Sequence, residues 1–119
     1  MSSTVSRFHA FDLLATPVAV IEGEGRVSFV NAALEDVMGM SRRNLHGVYL
    51  PEFFADPLPL ENALLGARSN EFAALRYEAL LNRVHYGDSL PVHMIVAPSD
   101  QPDEVIIELL PVEQQTRQE

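Results

Sequence analysis

The stretch RVSFVNAALEDVMGMSRRNLHG, Arg26–Gly47, decides the fold. Its opening residues are a short apolar strand pattern. At Asn31 the hydrophobic period changes from two to about 3.6, so that Ala33, Leu34, Val37 and Met38 share one helical face. Glu35 and Asp36 point outward, near the positive end of the helix dipole. Asn31 is the expected N-cap, since its side-chain oxygen can accept a free first-turn N–H. Gly39 can take the left-handed conformation that closes the helix. Ser41 then caps a second short turn carrying Leu45, which Gly47 ends. A strand thus hands over to two brief helices, each with its own start and stop residue.

Upstream, PVAVIEGEGRVSFVN gives two β-branched runs around Glu22–Gly25, a hairpin whose glycines suit a tight turn. Before it, Val5, Phe8 and Leu14 fall near helical spacing with Phe11 beside them. Ser3–Leu14 therefore reads as an amphipathic helix, stopped before Pro17, that needs a surface to lie on. Downstream, LPEFFADPLP is irregular, and Leu60, Ala63, Leu64 and Ala67 then mark a helix from Leu60 to about Arg68. EFAALRYEALLNRVH is ambiguous: its composition favours a helix, yet Ala73, Leu75, Tyr77, Ala79 and Leu81 alternate as one face of a strand. LPVHMIVAP and DEVIIELLP read as strands, with Val92, Met94 and Val96 on one face and Val105, Ile107 and Leu109 together on the other strand. Ile106 and Leu110 leave the opposite face apolar, so the back of the sheet should be covered by the N-terminal helix or its copy from a second subunit. After Pro111, VEQQTRQE is helix-compatible but has almost no apolar stripe, like the start of a longer helix. The expected organisation is a cap helix at 1–15, one domain at 16–111, and a linker helix from 112 to 119.

Composition sets the outer bounds. The 119 residues suffice for one ordinary domain, 47% of them are hydrophobic, and the formal charge is −9 with 17 acids against eight basic side chains, all arginine. A polyphosphate would be repelled, which argues against nucleic acid and anionic membrane surfaces as partners. No run approaches the roughly 18 apolar residues of a spanning helix, and a soluble, cytoplasmic chain is expected. With no cysteine there is no disulfide, thiolate metal site or thiol nucleophile.

The phrase GRVSFVNAALEDVMGMSRRNLHG resembles the PAS consensus G-x-I-x-x-x-N-x-A, a helix, then G-x-S-x-x-x-L-x-G. Gly25, Val27, Asn31, Ala33, Gly39, Ser41, Leu45 and Gly47 occupy the matching positions. From Phe11 to about Gln115 the chain is most similar to the N-terminal sensory domain of NtrB-type nitrogen-regulation histidine kinases; Gly47–Leu90 matches weakly. It departs at Asn44, where many PAS domains carry an acid that completes a capping box. The resemblance implies an α+β PAS fold, a five-stranded antiparallel sheet with short helices on one face. It also makes the ambiguous segment a strand, from about Ala73 to Leu81. It further implies a homodimer that controls an attached kinase core under a PII-type signal protein, with a response regulator downstream.

The residues offer little chemistry of their own. None of His9, His46, His85 and His93 has the neighbours of a phosphoacceptor, and no nucleotide-binding box is present. LENALLGARS supplies no axial haem ligand, a covalent flavin adduct lacks its cysteine, and His93 has no second ligand at metal spacing. Neither Ser41 nor Ser89 has a positioned base, so no cofactor and no catalysis are expected. Asn31 and Ser41 are structural caps first. Phe29, Asn31, Leu34, Met38, Leu64 and Tyr77 would line a pocket between sheet and helices, or simply fill a dry core. Arg42 and Arg43 read as solvated charge, with partner contact the second reading. Val5, Phe8 and Phe11 are the candidate dimer contacts. Two functions remain open: a regulatory module that dimerises and relays packing changes through its exit helix, and a sensor that binds a small metabolite.

Overall fold

The computed structural model describes residues 9–112. Five strands form one antiparallel sheet: β1 (Val18–Glu22), β2 (Arg26–Val30), β3 (Leu75–Arg83), β4 (Asp88–Pro98) and β5 (Glu104–Pro111), in the order β2-β1-β5-β4-β3. Between β2 and β3 lie α1 (Ala32–Met38), α2 (Arg42–Leu45), a 3-10 turn at Leu50–Phe53 and α3 (Leu58–Arg68).

Period-two alternation turns one side of each strand to the helices. Ala19 and Ile21 of β1, Val92, Met94 and Val96 of β4, and Val105, Ile107 and Leu109 of β5 are buried there. Leu34, Met38, Leu45, Leu60, Leu64 and Ala67 close the layer from the helical side. Each large side chain fully buried in this way contributes about 1.5–3 kcal/mol. Leu34 and Met38 project together because they stand four residues apart in α1.

The punctuation of Arg26–Gly47 is realised atom by atom. Asn31 is extended, and its Oδ1 accepts the Leu34 N–H at 3.0 Å. Gly39 ends α1 with φ +70°, its N–H returning to the Glu35 carbonyl. A Cβ at Gly39 would stand 2.8 Å from the Tyr86 ring, so both conformation and space demand glycine. Ser41 Oγ accepts the Asn44 N–H at 3.3 Å and starts α2.

Several expectations need correction. α3 begins at Leu58 rather than Leu60, with Pro57 at its N-cap and Pro59 in its first turn, where a missing N–H costs nothing. The ambiguous segment is strand β3, but it runs Leu75–Arg83 rather than Ala73–Leu81, because its register with β4 extends to Arg83↔Asp88. At the N-terminus the described residues hold a 3-10 turn, His9–Leu13, in place of an α-helix reaching Leu14. Leu14 lies just past that turn and is 47% exposed, off the apolar stripe assigned to it. Val5, Phe8 and the linker helix from 112 onward fall largely or wholly outside the described residues.

The two caps should differ in weight. Asn31→Ala removes four side-chain hydrogen bonds and strands the buried Val18 N–H, and should cost about 3 kcal/mol in urea unfolding, while Ser41→Ala, at an exposed cap, should cost about 1 kcal/mol or less. Equal losses would show that the Asn31 corner carries no special share of the stability.

Candidate functional site

Two regions qualify as candidate sites: the interior under the helices, and the place where the chain enters the domain. Leu34, Met38 and Leu64 meet in the interior, all within one continuous buried cluster. Tyr77 packs against that cluster from β3. Its hydroxyl is buried with no hydrogen-bond partner among the described residues, and desolvation pushes its pKa up to about 12.

Phe29 does not join them. The pairing of β1 with β2 slips between Val20 and Ile21: Val20 faces Phe29, yet Ile21 faces Val27, so Ser28 is an extra residue. The bulge keeps Val27 and Val30 both in the core and turns Phe29 to the back of the sheet, opposite Val20. Strict alternation from Val27 would have put Phe29 inside, and nothing in the local sequence announces the bulge.

Asn31 sits at the corner between interior and entry. Its Oδ1 accepts from the N–H of Val18 as well as Leu34, and its Nδ2 donates to the carbonyls of Phe11 and Thr16, at 2.9, 3.0, 2.9 and 2.8 Å respectively. Every hydrogen-bonding site that its amide ordinarily uses is occupied by backbone, which leaves it no free polar edge for a ligand.

Beside this corner lies a cluster missed at the sequence level. The Arg42 guanidinium bonds the Asp12 carboxylate at 3.0 and 3.3 Å and approaches Glu35 at 3.5 Å. Asp12 also accepts the Ala32 N–H, and Glu35 the Arg42 N–H. The guanidinium lies 5.6 Å over the Phe29 ring, which in turn tilts against Phe11 with centroids 6.3 Å apart. The Asp12 hydrogen bond is the main cause holding the Arg42 pKa above its ordinary value. Arg42 is thus a tie between the entering segment and both short helices rather than solvated charge. Phe11, a candidate dimer contact, is half-buried within it.

The back of the sheet carries a groove of about 450 Å³, flanked by Arg76, Glu78, His93, Ile95 and Leu110. His93 Nδ1 stands 3.5 Å from Glu78. Among the described residues, no three His, Asp or Glu side chains are placed to hold a metal ion, and no helix is long and apolar enough to cross a membrane.

A single antiparallel sheet roofed on one face by short helices, with its entry pinned at an asparagine corner, defines an α+β domain. The sequence matches the family model described as PAS fold over residues 11–118, and the chain belongs to that family. A PAS domain is a sensory module. The PAS domain of an HTR-like protein from Haloarcula marismortui is 19% identical, with a TM-score of 0.73 over 92% of this chain and 93% of that one. A PAS domain from Colwellia psychrerythraea is 15% identical, with a TM-score of 0.77 over 96% of this chain and 100% of that one. A domain of the sensory box sensor histidine kinase/response regulator from Geobacter sulfurreducens is 16% identical, with a TM-score of 0.72 over 91% and 93%. No curated protein sequence matches.

Tyr77 provides a direct check on the interior. Its pKa is raised on folding, so the associated stability is complete below about pH 10, the unfolded value, and is lost as pH climbs through about 12. Tyr77→Phe removes an unpaired hydroxyl and should leave the melting temperature unchanged or higher, while abolishing the last step of the tyrosinate absorbance titration. A marked loss of stability would mean that the hydroxyl is bonded in solution.

Proposed function

We propose that this chain is the regulatory PAS domain of a two-component nitrogen-regulation histidine kinase of the NtrB type, a cytoplasmic, non-enzymatic module of a homodimer. On this reading the segment at 1–15 forms the dimer contact through Val5, Phe8 and Phe11, the domain proper spans 16–111, and the linker from 112 relays its state to a kinase core. A PII-type protein and a response regulator would act through that parent protein.

One observation carries the relay: entry and exit are neighbours in the sheet. β1 pairs with β5 from Val18↔Glu108 to Glu22↔Glu104, and the Leu109 N–H donates to the Pro17 carbonyl at 3.0 Å. A shift of the segment before Pro17 is therefore felt directly at the strand that leads out through Pro111. Moving paired exit helices between two registers takes only a few kcal/mol of differential packing. The burial of Leu34, Met38 and Leu64 in one apolar cluster and the fully engaged Asn31 favour relay over ligand capture.

The alternative, a small-metabolite sensor, is supported by the unpaired Tyr77 hydroxyl, which a ligand acceptor could satisfy. Light scattering after size exclusion should find a wild-type dimer and a Phe8→Glu monomer; monomers in both would remove the proposed N-terminal contact. A metabolite that raises the melting temperature of wild type but not of Tyr77→Phe would favour the sensor instead.

A further inference from the structure

The two edges of the sheet are finished differently. β2 is covered at its first half: the Val27 N–H reaches the Val48 carbonyl, Gly47 N–H the Val27 carbonyl, and Leu50 N–H the Gly25 carbonyl. On β3, among the described residues, only the far end is closed, where the Ala55 N–H donates to the Leu80 carbonyl at 2.9 Å. Since Leu80 directs its backbone away from β4, alternation directs the N–H and C=O of Glu78 and Arg76 outward as well. The pairing of β3 with β4 runs without a bulge, and no proline interrupts Leu75–Ala79. This open edge lacks the usual devices that blunt strand addition, apart from its two charges.

Those charges select a partner. From the edge and its side chains we infer that Leu75–Ala79 pairs antiparallel with the same stretch of a second copy, centred on Tyr77, to give one continuous sheet across a two-fold axis. In that register Arg76 stands opposite the partner's Glu78 and Glu78 opposite the partner's Arg76, both with outward-facing backbone, as a hydrogen-bonded pair requires. Sliding the strands to either neighbouring register sets arginine against arginine or glutamate against glutamate. Arg76 has no ion pair among the described residues, and Glu78 has only the 3.5 Å approach of His93. On the helix-facing side Leu75 is exposed and Tyr77 and Ala79 half-buried; pairing brings Tyr77 against its own copy and Leu75 against Ala79, extending the core layer across the axis. An isologous contact is self-complementary in this way. The strip is smaller than a standard stable interface, so the association is weak on its own and strengthens when the parent protein holds two copies together. It builds on the dimeric reading above but uses a different element, so each contact can fail independently.

Sedimentation velocity over a concentration series tests it by charge reversal at two exposed residues, with circular dichroism to confirm folding. R76E or E78R alone places like charges opposite each other twice and should weaken self-association about tenfold or more. R76E/E78R together restores the pairing and should recover wild-type association, and mixing the two single variants should give a heterodimer. Hydrogen exchange at position 78 should slow with rising concentration in wild type and in the double variant, but in neither single variant. A chain that stays monomeric to about 1 mM overturns the inference. So does self-association indifferent to both reversals; if that is lost in Phe8→Glu, the contact lies on the N-terminal segment instead. An edge that takes up only an extended peptide of another protein would also overturn it.

Discussion

The fold depends on one side chain that satisfies four backbone groups from three directions. Asn31 holds the first N–H of β1, caps α1, and accepts the approach of the entering segment through two carbonyls of residues 11 and 16. Without it, the Val18 N–H would be buried unpaired, at a cost of about 1–3 kcal/mol, and the part-buried carbonyls of residues 11 and 16 would lose their donor. The same corner sets the direction in which α1 leaves the sheet, and hence puts Leu34 and Met38 onto the core. Packing of the helical layer follows from a polar constraint rather than preceding it.

What was legible in the sequence is what local chemistry dictates. Asn31, Gly39 and Ser41 each do a job that few other residue types can do, and the alternation in β4 and β5 is unbroken, so these elements could be read directly. Three features were not legible, each for its own reason. The bulge at Ser28 arises from the mismatch between two strands, so the placement of Phe29 on the back of the sheet depends on β1 as much as on β2. Strand β3 lies at an edge, with one face open to water, so its pattern carries too few buried positions to separate period two from period 3.6. The Arg42 tie joins residues 30 apart in sequence, and neither partner has a local signature.

The entry region and the sheet form one mechanical unit. Asn31 and Arg42 fix the segment before Pro17 to the two short helices, and Pro17 itself hydrogen-bonds to β5. The two attachments differ in kind. Asn31 is fully buried and makes neutral hydrogen bonds, whereas the Arg42 cluster is partly exposed and charged, with 44% and 30% side-chain exposure for Arg42 and Asp12. Salt screens the second and leaves the first nearly untouched. The entering segment is thus held by one salt-insensitive contact and one salt-sensitive one.

On the proposed relay, a shift at the entry matters only if the opposite end of the sheet stays fixed in relation to it. β5 occupies the centre of the sheet, with β1 on one side and β4 on the other, and β4 carries β3. A displacement at β1 therefore reaches the exit through one ladder, while an anchor at the β3 edge would act on the same strand through β4. If two copies join at that edge, the exit strand is held from the far side while the entry side remains free to shift. The two halves of the sheet then have separate duties, one as a base and one as a lever, and the β5 strand between them registers their difference.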